Sequence, residues 1–275
     1  MVGDEGIAGT AAARLTRAVQ AAYDAAARDW DGGPGRMYGE LARALIAKAG
    51  ASVSGSRVLD LGAGTGAAGA AALCAGATQV VAADIAPGML ARCPAPLHPV
   101  AADAVALPFR DGSFDLAVAA FCLGHLSCLQ SCLAEVRRVC AALAASAFAP
   151  GWNHPAKQAV DDVLADYGYH APGWYLRFKE ETEPRVNDPD MLATQAAAAG
   201  FTGVDIRTVA VTAAMTAPAQ LVSWRLGMAH IAPFAASLGP SRHAELLQAA
   251  EAAVAKAGSG SLKVEMLVLT GRSGN

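Results

Sequence analysis

The chain has 275 residues, of which 54% are hydrophobic and 16% charged. That is ample for a full hydrophobic core and excludes a disordered or solvating chain. The net charge is −3 and no basic run exceeds Arg137-Arg138, so the basic stripe of a nucleic-acid binder is missing and a small-molecule partner is expected. Met1-Val-Gly-Asp-Glu-Gly lacks the basic start and apolar stretch of a signal peptide, and no apolar window is long enough for a spanning helix. A cytoplasmic protein away from the membrane, monomeric or homodimeric, is the expectation.

In chain order, residues 10–30 carry an Ala-rich helical pattern marked by Leu15, Val19 and Tyr23. Asp31-Gly-Gly-Pro-Gly35 breaks it, and a second helix runs from Met37 to about Ala49. Arg57 to Leu61 reads as a strand, followed by a glycine-rich turn and an Ala-rich helix to about Gly76. Gln79–Asp84 is a second strand, and Pro87 opens the next helix at an early helical position. His98–Asp103 and Phe114–Phe121 follow as strands, then a helix over Leu129–Val139 and a strand over Ala142–Phe148. Later come helices near 157–166 and Pro189–Ala199, strands over Val204–Val211 and Leu262–Leu269, and an Ala-rich helical stretch between them. Strands alternating with helices at this spacing predict an α/β fold with a doubly wound, mostly parallel seven-stranded sheet. One domain over 1–275 is expected, with an N-terminal helical lid over 1–50 and helical cap insertions over 149–187 and 216–258.

The six cysteines at 74, 93, 122, 128, 132 and 140 include no C-x-x-C pair. Buried thiols are expected, and Cys128 with Cys132 has no His or carboxylate at metal-site spacing, so no metal is expected.

Asp60-Leu-Gly62-Ala-Gly64-Thr-Gly66 carries the chemistry. Gly62 and Gly64 let the backbone turn sharply after the first strand and approach a ligand closely. The turn sits at the carboxyl end of a parallel strand, where doubly wound sheets bind ligands. Asp60 suits an ammonium group rather than a pyrophosphate, and Asp84 ends the next strand, where a carboxylate can accept both ribose hydroxyls. The spacing is G-x-G-x-G after an acid, not the dinucleotide G-x-G-x-x-G.

Val58-Leu-Asp-Leu-Gly-Ala-Gly-Thr-Gly66, Ala83-Asp-Ile-Ala-Pro-Gly-Met-Leu90, Asp103-Ala-Val-Ala-Leu-Pro-Phe109 and Gly112-Ser-Phe-Asp-Leu-Ala-Val118 resemble class I S-adenosylmethionine (SAM)-dependent methyltransferases. The subgroup contains ubiquinone-biosynthesis-type and natural-product enzymes, and the resemblance is strong over about residues 20–148. It implies SAM as cofactor, with Asp60, Gly62 and Gly64 at the methionine part and Asp84 at the ribose. Ile85 and Met89 would lie beside the adenine, Asp103 would bond its amino group, and Ala104 would sit next to it. Phe121 would lie near the cofactor, and Tyr23 and Trp30 would belong to a helix closing over it. The chain departs from the family where a Pro-Gly-Gly turn usually precedes the fifth strand; Arg138-Val-Cys-Ala-Ala-Leu-Ala-Ala runs through instead.

His125 follows the fourth strand and is the candidate general base, since histidine titrates near neutral pH. Seven of the sixteen aromatic residues fall in 148–178, and pockets for organic ligands are apolar and aromatic. Trp152, His154, Tyr169, Trp174 and Tyr175 are therefore the expected acceptor-binding residues, with Trp224, Arg225, Met228 and His230 as further candidates. The expected function is methyl transfer to a small, hydrophobic natural-product acceptor. The alternatives are a cyclase on the same fold that leaves SAM unconsumed, and a non-catalytic SAM-binding subunit.

Overall fold

The computed structural model describes residues 4–126, 128–258 and 260–274, with backbone alone for residues 4–12. Two helices, α1 (Asp4–Trp30) and α2 (Pro34–Ala49), precede the sheet. Strands β1 (Arg57–Leu61), β2 (Gln79–Asp84), β3 (His98–Ala101), β4 (Leu116–Ala120) and β5 (Ala142–Phe148) alternate with α3 (Ala67–Cys74), α4 (Pro87–Leu90) and α5 (Leu129–Val139). Then come α6 (Pro155–Asp166), α7 (Gly173–Arg177), α8 (Pro189–Ala198), β6 (Phe201–Ala213), α9 (Pro218–Leu226), α10 (Ala232–Ser237), α11 (Pro240–Ala257) and β7 (Leu262–Ser273).

The sheet has seven strands in the order β3-β2-β1-β4-β5-β7-β6. The first five are parallel, and β7 runs antiparallel between β5 and β6. Side chains alternate between the two faces, as the pleat requires. Val58, Leu116 and Val118 join α2, α3, α6, α9 and α11 on one side. Leu59, Ala117 and Ala119 join α5 and α8 on the other. The fifth strand starts at Ala142, as expected without a Pro-Gly-Gly turn, while β6 and β7 run past both ends of the stretches expected from pattern or past one of them. Phe114 contributes only an isolated bridge to Cys140.

The 216–258 stretch is built into the main core, since Leu221, Val222, Leu246, Ala250 and Val254 pack in the same cluster as Val264 and Met266 of β7. The expectation of buried thiols holds for Cys132 and Cys140 but not for Cys74 and Cys128, which are exposed. Among the described residues no helix is long and apolar enough to cross a membrane, and no group of three His, Cys, Asp or Glu side chains is placed to hold a metal.

Candidate active site

Two cavities meet at the carboxyl ends of β1, β2 and β4. The first, of about 540 Å³, is lined by Asp60, Gly62, Gly64, Asp84, Ile85, Asp103, Ala104 and Phe121, with Tyr23, Gln20 and Arg17 of α1 over it. The second, of about 250 Å³, lies between Phe121, Phe148, Trp152, Trp174, Tyr175 and Phe178, with Trp224, Arg225 and His230 of the 216–258 stretch. Tyr23, Tyr38, Phe121 and His125 line both, so these four side chains form the seam.

The glycine-rich turn is shaped by what surrounds it. Gly62 has φ +65°, and a Cβ there would stand 2.4 Å from the Cβ of Cys122. Gly64 has φ +55° with open space where its Cβ would be. The turn delivers the chain to the N-terminus of α3, where Asp60 Oδ2 accepts a 2.6 Å bond from the Gly69 N–H. That bond satisfies one of the donors a helix start leaves open.

Asp60 is fully buried, and its Oδ1 has no partner among the described residues. Burial lifts its pKa from the ordinary 3.8 to about 7, against the lowering by the Gly69 N–H. A buried carboxylate with one oxygen unmatched is a demand for a cation. Asp84 is used differently: Oδ2 accepts from Gly64 N and Oδ1 from Ala86 N, both at 2.8 Å. Each oxygen keeps lone-pair capacity for a hydroxyl pair. Burial raises the Asp84 pKa, and the backbone N–H bonds offset part of the rise. Asp103 is exposed at the rim and accepts from Val105 N at 3.1 Å. Three carboxylates around one cavity repel a pyrophosphate and suit a ligand carrying ammonium or sulfonium charge. The unmatched oxygen of Asp60, the open space over Gly64 and the spare capacity of Asp84 all fit SAM.

At the seam, Phe121 has φ +57°, a left-handed conformation that costs a bulky residue on the order of 1 kcal/mol. Its N–H donates to the Ser146 carbonyl at 3.1 Å, and its ring lies 4.6 Å from Phe148 and 5.4 Å from Tyr38. His125 follows on the turn Leu123–His125. Its Nε2 lies 3.1 Å from the Tyr23 hydroxyl, and its ring stacks on Phe178 at 4.5 Å and 17°. Its Nδ1 is shut off from solvent without a partner among the described residues.

Burial pulls the His125 pKa down to about 4, and burial first, then the nearby Tyr38 and Asp84, pushes the Tyr23 hydroxyl well up. Both groups are therefore neutral across the neutral range. An imidazole lowered in this way is a weaker proton acceptor at pH 7, and its Nε2 faces the Tyr23 hydroxyl.

Three further expectations change. Met89 is fully buried under α1, with Ala22, Ala26 and Trp30, and does not line the first cavity. His154 is the cap of α6, its Nδ1 accepting from Ala156 N at 3.2 Å, and lies outside the second cavity. Tyr169 donates to the His230 carbonyl at 3.0 Å and packs on Phe234, also outside that cavity. Trp152, Trp174 and Tyr175 do line it.

Residues that sequence reasoning missed are Tyr38, Ser146, Lys157, Lys179 and Glu183 in the second cavity and Arg17 and Gln20 over the first. Phe148 and Phe178 stood inside the aromatic segment without being singled out. Tyr38 carries no distinguishing signal, because an aromatic on a buried helix face reads as core.

Residues 59–143 match the family described as "Methyltransferase domain". Over that stretch, about a third of the chain, the sequence is similar to methyltransferase domains. A demethylmenaquinone methyltransferase of Renibacterium salmoninarum is 41% identical over 100 residues, covering 35% of this chain and 42% of the relative. The chain thus matches about two fifths of that relative's length. Among solved structures, phosphoethanolamine N-methyltransferase 2 of Haemonchus contortus, complexed with phosphomonomethylethanolamine and S-adenosylhomocysteine, superposes with a TM-score of 0.51 at 14% identity. It covers 86% of this chain and 52% of that one. The [4+2]-cyclase SpnF superposes with a TM-score of 0.51 at 18% identity, covering 85% and 80%. These likenesses concern the fold.

Proposed function

We propose that this protein is a SAM-dependent methyltransferase acting on a small ring-bearing acceptor held in the second cavity. The observation that carries the reading is the junction of two cavities at one seam: a carboxylate-lined one that suits SAM and an aromatic one beside it. When bound, the cofactor supplies an electrophilic methyl group on a sulfonium. Asp60 Oδ1 takes the ammonium group, and Asp84 takes the ribose hydroxyls with the lone pairs its backbone bonds leave free. Asp103 takes the adenine amino group, and Ile85 and Ala104 flank the ring.

Tyr23, Phe121 and His125 hold the passage between the cavities and keep water from it. Trp152, Trp174, Tyr175 and Phe178 hold the acceptor ring. Methyl transfer is an in-line displacement, so alignment across the seam supplies much of the rate. The residues of 149–187 and 216–258 act as the acceptor side, and α1 as the lid. The relatives named as demethylmenaquinone methyltransferases direct attention to quinone-type rings, although the match covers about a third of this chain.

Incubation with labelled SAM and a panel of hydroxylated aromatic acceptors tests this. S-adenosylhomocysteine should form one-for-one with methylated product, and Asp60→Ala and Asp84→Ala should each lower turnover at least a hundredfold. Full turnover in either variant, or product without S-adenosylhomocysteine, would contradict it; the latter result would point to a cyclase.

A further inference from the structure

The second cavity also carries information on the acceptor class, which rests on the methyltransferase reading for the cavity's name, though not for its chemistry. Lys157, Lys179, Arg225 and Glu183 line this cavity, and no other carboxylate does among the described residues. Lys179 pairs with Glu183. Arg225 and Lys157 share one acid: Asp161 accepts from Arg225 Nε and Nη2 at 2.6 and 3.0 Å and from Lys157 Nζ at 3.3 Å. Two cations on one carboxylate leave one positive charge over. Arg225 is only 5% exposed, so that surplus sits where water screens it poorly.

The neighbouring rings feel this field. After burial, the charges of Arg225, Lys157 and Lys179 all help hold His230 well below its ordinary pKa. The Arg225 charge likewise acts downward on Tyr38 and Tyr175, whose burial raises them.

A second observation is independent of charge. Trp224 Nε1, Ser146 Oγ and His230 Nε2 are buried polar atoms with no partner among the described residues, on side chains that line this cavity. Trp224 and Ser146 are 2% exposed and His230 is 5% exposed. An indole N–H can only donate. Left unmatched in the interior, such a donor carries a desolvation cost that a ligand oxygen would remove.

We propose that the acceptor is a flat ring compound bearing an anionic oxygen, a phenolate or enolate, bound with that oxygen at the Arg225–Lys157 wall within reach of the unmatched donors. Its proton passes to bulk water before binding. The acceptor therefore needs no base in the site, in keeping with the neutral His125. Charge-assisted hydrogen bonds are roughly twice as strong as neutral ones, so the anion is selected over its neutral ether.

Calorimetry on the whole protein tests this with 4-nitrophenolate, above the phenol's own pKa, and with 4-nitroanisole as the neutral match. The phenolate should bind at least about tenfold more tightly. Lys157→Gln, which cancels the surplus charge at a half-buried position, should reduce that ratio to about threefold or less with an unchanged melting curve. Equal binding of the two rings, or an unchanged ratio in the variant, would overturn the proposal. An S-adenosylhomocysteine titration on the same sample judges the methyltransferase reading separately. Preference for the ether together with cofactor binding overturns only the anion site, whereas preference for the phenolate without cofactor binding supports it and overturns the methyltransferase reading.

Discussion

Asp60, buried, and His125, half-buried, are titratable groups on the same cavity wall, and desolvation moves them in opposite senses. The Asp60 pKa rises from 3.8 to about 7. The unfolded chain then releases its proton near pH 4 while the folded chain holds it until about pH 7. The contribution of Asp60 to stability is therefore lost as pH rises through that window, by on the order of 4 kcal/mol in total. His125 contributes the reverse: its pKa falls from 6.5 to about 4, so its contribution is lost as pH falls from about 6.5 towards 4. Wild type alone would show these slopes partly cancelled, so a variant separates them. Asp60→Asn keeps an acceptor for the Gly69 N–H and removes the titration. Denaturant melts should show this variant gaining on wild type by a few kcal/mol between pH 4 and 7, with S-adenosylhomocysteine affinity at least tenfold weaker at pH 8. A difference that does not vary with pH would mean Asp60 is ionised throughout.

At the scale of elements, the β1–α3 turn separates two uses of glycine. A Cβ at Gly62 would lie 2.4 Å from the Cys122 Cβ, a distance that forces the β4 end to move. Gly62→Ala should cost about 2–4 kcal/mol, from overpacking with left-handed strain added. Gly64→Ala meets no protein atom within 4 Å and carries only the strain, roughly 1–2 kcal/mol. Its methyl group, however, enters the space of the first cavity. Denaturation midpoints should rank Gly62→Ala as the less stable variant. S-adenosylhomocysteine titration should show Gly64→Ala losing affinity well beyond its small stability loss. The positions of these glycines were legible because a strand, a G-x-G turn and a helix follow one another locally. Which of the two is packed and which faces a ligand was not legible, since Cys122 comes from another strand's end, sixty residues away in sequence.

For the molecule as a whole, the two cavities share Tyr23, Tyr38, Phe121 and His125. A ligand in either one orders walls of the other, so the second ligand loses less conformational entropy on binding. At a hundred times its Kd, S-adenosylhomocysteine should stabilise the protein by about 2.7 kcal/mol. That corresponds to a Tm rise of roughly 5 °C for a chain of this size. With 4-nitrophenolate also present, the rise should exceed the sum of the separate shifts. Strictly additive shifts in a thermal melt would mean the cavities are independent.

The sequence by itself determined the glycine-rich turn and the acids around it. Asp60, Gly62, Gly64 and Asp84 follow from strand-end chemistry that depends on a few adjacent residues, Asp103 follows from the family resemblance, and all five line the first cavity. The fifth strand, too, was readable from its apolar run alone. The lining of the second cavity was decided only by tertiary packing. Within one aromatic segment Trp152, Trp174 and Tyr175 turn to the cavity, whereas Tyr169 turns to Phe234 and His154 caps its helix. Met89, beside the cofactor motif in sequence, is claimed by α1. Tyr38 and Lys157 reach the second cavity from α2 and α6, elements with no local mark of function, and Lys157 there shares Asp161 with Arg225 of α9. The physical reason is that backbone turns are set by neighbours in sequence. Which way a side chain faces, and which charge it meets, is set by neighbours in space.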